Sequence, residues 1–85
     1  MKAWCVFESN PHDGCILVYA NTRNRARSLG FYKGPWAWDW ESYMTTNARR
    51  AKDWDHVFNE EKIIEGNDEL PDGTDKFYID DDYWL

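Results

Sequence analysis

The sequence predicts an α+β domain: a three- to four-stranded, mainly antiparallel sheet with one helix packed on it and a short second helix. Three observations carry this reading. Two apolar runs, 2–8 and 15–20, flank a short polar loop containing Gly, which is the pattern of a β-hairpin. The stretch that follows, 21–30, begins with cap formers, ends in Gly and spaces its apolar residues as a helix does. Tyr43, Met44, Thr45 and Thr46 then favour a further strand.

The elements follow in chain order. Residues 2–8 combine Trp4, Val6 and Phe7 with Cys5 between them, a strand composition. Residues 9–14 (Ser-Asn-Pro-His-Asp-Gly) form the loop, where Pro11 has no N–H to give a ladder. Residues 15–20 (Cys-Ile-Leu-Val-Tyr-Ala) are apolar on both faces, so this strand is expected in the middle of the sheet with both sides covered. Asn21 or Thr22 can cap the helix and Gly30 can stop it. Ala26 and Leu29 share the face that docks on the sheet, while Arg23 and Arg27, four apart, share a different edge. Gly34-Pro35 breaks the chain. Trp36, Trp38 and Trp40 share one face if extended, and a Pro-led helical turn is the competing reading. A third strand is expected near 41–49, ending in the basic cluster Arg49, Arg50 and Lys52. Residues 59–66 read as the short second helix, with Asn59 as cap, Glu60 and Glu61 at its positive end and Gly66 as stop. A polar loop with Pro71 and an Asp72-Gly73 turn leads to a last strand at 76–80.

The 85 residues suit one domain. A chain of this size buries roughly 60–65% of its unfolded surface, a thin core that large aromatic side chains can reinforce. There are fifteen aromatics, six of them Trp, and some of these Trp can instead form a contact surface. The net charge of -6 conceals an asymmetry: residues 1–52 carry eight Lys/Arg against four acids, residues 53–85 two against twelve. Such a split suggests a charged partner surface, or an acidic face folded back on the basic helix. No apolar run has the length of a signal peptide or membrane span, so a cytosolic chain with reduced thiols is expected.

Two Cys and two His are the residues with site chemistry: Cys5, His12, Cys15 and His56. Together they make the N/S count of a structural zinc site, with His12 and Cys15 three apart across a turn and Asp53 and Asp55 beside His56. The paired spacings typical of zinc sites are missing, and core thiols with surface imidazoles are the alternative. No ordered nucleophile–base arrangement, paired catalytic carboxylates or Gly-rich phosphate loop stands out, so a non-enzymatic binder is expected. Its contact surface would be the acidic tail: Glu60, Glu61, Glu65, Asp68, Glu69, Asp80, Asp81 and Asp82, with Trp84 beside them. Dense carboxylates can compete with DNA for a basic groove. The alternative places a nucleic acid on Arg23, Arg25, Arg27, Arg49, Arg50 and Lys52, with aromatic rings as stacking platforms.

The run Lys2-Ala3-Trp4-Cys5-Val6-Phe7, then Val18-Tyr19-Ala20-Asn21-Thr22-Arg23, then Ala26-Arg27, then Ala48-Arg49-Arg50-Ala51-Lys52 with Asp53, resembles a group of small phage and prophage proteins. These share a Trp-bearing first strand, an Ala-x-Thr-Arg helix start and an Ala-Arg-Arg segment leading to an Asp. The resemblance covers about residues 1–53 and rests on short motifs; the Trp36–Trp40 run and the Asp-rich tail depart from it. The group has no common assigned activity. The resemblance implies a mobile-element origin and, for a small acidic member, an inhibitor of host defence in the bacterial cytoplasm. A type II anti-CRISPR protein that binds Cas9 and blocks nucleic-acid loading is the leading class.

Overall fold

The computed structural model describes residues 1–8, 15–34 and 46–74. Within them four strands form one antiparallel sheet: β1 (Ala3–Glu8), β2 (Ile16–Tyr19), β3 (Thr46–Arg50) and β4 (Lys62–Ile64), in the order β3-β1-β2-β4. The expected hairpin is present, with Ala3 opposite Tyr19 and Val6 opposite Ile16. Both of its strands lie in the middle of the sheet, as the two-sided apolarity of 15–20 requires.

Strand alternation sends the apolar residues into two cores. On one face Trp4, Val6, Ile16, Val18 and Ala48 pack with Ala26 and Leu29 of α1 (Arg23–Lys33). On the other face Cys5, Phe7, Leu17, Tyr19 and Ile64 meet Trp54, Leu70 and the half-buried Phe58, supplied by the chain after β3. Trp54 sits on a 3₁₀ turn at Lys52–Trp54, and a second 3₁₀ turn follows at Asn67–Glu69. Two buried polar groups on the aromatic rings find backbone partners: Trp4 Nε1 donates to Ala20 O at 3.1 Å, and the Tyr19 hydroxyl donates to Trp54 O. Burial, then the nearby Asp55 carboxylate, push the Tyr19 phenol up to about 12.

Helix α1 begins as expected, with the Thr22 hydroxyl accepting from Arg25 N at 3.2 Å. Its end is not at Gly30. The helix runs three residues further, to Lys33, and the Gly34 N–H closes it on Gly30 O. Gly30 is buried against the sheet: a Cβ there would lie 2.6 Å from Val6 Cγ1. Glycine serves close approach at this position, not termination.

The helix expected over 59–66 is also corrected. Residues 62–64 are strand β4, paired with β2 through Leu17–Ile64 and Tyr19–Lys62. Without β4, the outward N–H and C=O groups of Leu17 and Tyr19 would lack ladder partners, and a single turn of helix offers them nothing. Pairing also sends Ile64 into one core and Ile63 toward the other. The Asp72-Gly73 turn is present, with Gly73 at φ 87° and Thr74 N donating to Pro71 O at 3.1 Å. The third strand occupies Thr46–Arg50, the C-terminal part of the expected 41–49 and one residue beyond. The loop at 9–14, the Trp36–Trp40 run and the strand expected at 76–80 lie outside the described residues.

Candidate partner-binding surface

The acidic side of the molecule is built from β4 and the chain on either side of it. Residues 59–72 hold six carboxylates and one lysine. Glu60, Glu61, Glu65, Asp68, Glu69 and Asp72 are all exposed, while Ile64 and Leu70 between them are buried and anchor the segment. Two of the carboxylates have structural partners. Glu61 takes a bidentate bridge from Arg25 of α1 (2.9 and 3.0 Å), which holds its carboxyl below the usual range. Glu69 accepts from the backbone N–H groups of Glu65 (2.7 Å) and Gly66 (3.1 Å), fixing the turn after β4. The lysine, Lys62, lies over the Phe58 ring at 4.2 Å. Asp80, Asp81, Asp82 and Trp84, the remaining residues expected at this surface, lie outside the described residues.

The basic residues have a different fate. Arg23 Nε donates to Ala48 O at 3.0 Å and Arg27 Nε to Thr46 O at 2.7 Å, so the two arginines that share a helix edge both reach β3. Arg25 points to the opposite side and meets Glu61. Arg50 makes a bidentate pair with Asp55 (2.8 and 2.7 Å), donates to Ala3 O and lies over the Trp4 ring at 5.1 Å. Asp55 also accepts from Ala3 N at 2.7 Å; the Arg50 bonds lead in holding its carboxyl down at about 2. Arg49 lies over Phe7, and Lys52 is exposed. Arg23, Arg25, Arg27 and Arg50 are therefore hydrogen-bonded within the chain. Sequence spacing placed Arg23 and Arg27 on one edge but gave no sign of their acceptors, which are main-chain carbonyls of a strand about twenty residues away.

Of the four residues in the zinc reading, Cys5 and Cys15 come together. Both are buried free thiols on the same sheet face. A hydrogen bond to Cys15, then burial, push the Cys5 thiol well up. His56 is exposed on the turn after Trp54. Among the described residues no three His, Cys, Asp or Glu side chains gather as metal ligands, and His12, the fourth residue of the zinc reading, lies outside those residues. Also among the described residues, no helix is long and apolar enough to cross a membrane. Comparison with known proteins finds no matching family model, no matching curated protein and no matching solved structure.

Proposed function

We propose that this chain is a non-catalytic binding protein that docks its acidic β4 side into a basic groove of a nucleic-acid-handling partner. The resemblance to small phage proteins names the partner class: a Cas9-type defence effector, whose guide or target loading the bound protein would block. One observation carries the reading. The carboxylates of 59–72 stand exposed along one edge of the sheet, held there by Ile64 and Leu70, while most of the arginines that could neutralise or compete with them are engaged elsewhere in the fold. A row of carboxylates offers a basic groove the charge it normally finds on a phosphate backbone.

The test is charge removal that spares the fold. Glu61 and Glu69 hold backbone and helix in place and are left alone. Glu60→Gln, Glu65→Gln, Asp68→Asn and Asp72→Asn are combined, and binding to a purified Cas9-type effector is measured by calorimetry with and without its guide RNA. Loss of about tenfold or more in affinity is expected, on the order of 1.4 kcal/mol shared among four rim charges. Undiminished affinity of the fourfold variant overturns the docking surface. No binding of the unaltered protein overturns the partner class.

A further inference from the structure

We propose that the outward part of the Phe58 ring is the seat for one arginine of the basic partner, and that Lys62 occupies this seat while the protein is free. The inference deepens the acidic docking surface and rests on that reading for the partner's charge; the seat itself rests on the geometry around the ring.

The core sets the ring in place. Phe58 meets Tyr19 edge to face, with centroids 5.3 Å apart and planes at 86°. Tyr19 is fully buried, and its hydroxyl bond to Trp54 O fixes it in turn. Phe58 is half-buried, so part of the ring stays at the surface. Lys62 shows what that part accepts: its Nζ lies over the ring, 4.2 Å from the centroid and within cation–π range. The β2–β4 register explains how the ammonium arrives there. Lys62 stands opposite Tyr19, so the two side chains leave the sheet on the same face, the one against which Phe58 packs.

An arginine is the occupant the surroundings favour. Asn59, Glu60 and Glu61 separate Phe58 from Lys62 in the chain, and both carboxylates are exposed. With Glu65, Asp68 and Asp72 they draw a cationic partner, but exposed charges speed and orient an encounter more than they hold a complex. Holding takes a desolvated anchor, and aromatic rings and arginines are the residues that usually supply one. Lys62 is a weak incumbent. Its ammonium is strongly hydrated, and pinning its exposed stem costs rotamer entropy comparable with what an exposed cation–π contact returns. A guanidinium stacks flat on a ring and is less hydrated, so it takes the seat and returns the ammonium to water.

Lys62 reports its own displacement. NMR on the unaltered protein follows the Lys62 ε-methylene protons, which the ring current shifts upfield while the ammonium lies over Phe58. Titration with an oligo-arginine peptide is expected to return them to the ordinary lysine position, in step with binding read by calorimetry. An oligo-lysine peptide of equal length and charge is expected to bind roughly threefold to tenfold more weakly. Phe58→Leu is expected to abolish that preference. Lys62→Gln is expected to tighten oligo-arginine binding by roughly threefold, a gain that vanishes in Phe58→Leu/Lys62→Gln. Far-UV circular dichroism establishes folding of each variant; should Phe58→Leu not fold, the Lys62 signal and the peptide preference of the unaltered protein decide. Binding that leaves the Lys62 protons unmoved, or equal affinity for the two peptides, overturns the seat. A Lys62→Gln gain that persists without the ring overturns it as well, because charge alone then explains it. The fourfold variant Glu60→Gln/Glu65→Gln/Asp68→Asn/Asp72→Asn separates this from failure of the docking surface. If only the seat fails, that variant still binds oligo-arginine more weakly than the unaltered protein; undiminished affinity overturns the acidic surface itself.

Discussion

Asp55 ties three parts of this structure together through one side chain. It accepts from Ala3 N at the first residue of β1 and from both terminal nitrogens of Arg50 at the last residue of β3, so it joins the start of one strand and the end of its neighbour to the turn that carries Trp54. Its carboxyl is held down at about 2, first by Arg50, against an ordinary value of 3.8. The sign of the linkage follows: a depressed carboxylate stabilises the fold fully above its unfolded value, and that contribution fades as pH falls from about 4 through about 2. The shift corresponds to about 2 kcal/mol, and with Asp55 and Arg50 side chains 34% and 28% exposed, solvent screening reduces this to about 1 kcal/mol. Asp55→Asn is therefore expected to lower unfolding free energy by about 1–2 kcal/mol at pH 7, the upper figure including the Arg50 Nη2 donor left facing the new amide NH2. Urea titrations of both proteins from pH 7 to pH 2.5 check this: the gap between them should be constant above pH 5 and narrow below pH 4. A gap that stays constant to pH 2.5 would remove Asp55 from the account.

At the level of elements, α1 is a helix with little apolar surface of its own. Ala26, Leu29 and Gly30 are its buried residues, and its flanks are tied down by arginines to β3 on one side and to Glu61 on the other. Short helices of this kind depend on tertiary contacts, and Gly30 is what permits close contact here. Gly30→Ala would gain about 1 kcal/mol of helix propensity, yet its new methyl would meet Val6 Cγ1 at 2.6 Å in a close-packed core. Net destabilisation of about 1–2 kcal/mol is expected. Val6→Ala removes that γ-carbon, so Gly30→Ala in the Val6→Ala background should be neutral or stabilising. Thermal unfolding of the four proteins in the cycle measures the coupling, and additivity would refute the contact. The same glycine explains one limit of reading the fold from sequence. The hairpin, the Thr22 cap and the face shared by Ala26 and Leu29 were legible because each rests on local chemistry: turn formers, a hydroxyl before a helical run, a spacing of three. Gly30 as a stop and 59–66 as a helix were read by the same local rules and came out otherwise. At Gly30 the deciding contact is with a strand 24 positions earlier; at 62–64 it is the open side of β2, which no window around Ile63 contains.

On the scale of the whole molecule, the charge split between the two halves was plain in the sequence, but which charges remain available was not. Glu60, Glu65, Asp68 and Asp72 stay exposed, whereas Arg23, Arg25, Arg27 and Arg50 have carbonyl or carboxylate partners that only the folded chain supplies. This bears directly on the choice between an acidic docking surface and a nucleic-acid patch. A phosphate backbone recruits guanidinium groups by counterion release, and each arginine already bound internally must first give up its partner. The protein's -6 charge also opposes the approach of a polyanion. Fluorescence anisotropy with labelled single- and double-stranded DNA of about 20 nucleotides, at salt low enough that electrostatic binding is strongest (on the order of 20 mM), is expected to detect no saturable complex. A complex whose affinity falls steeply with added salt, and falls again in Arg23→Ala/Arg27→Ala, would mean that the helix arginines leave β3 for phosphate, and the basic face would then replace the acidic one as the working surface.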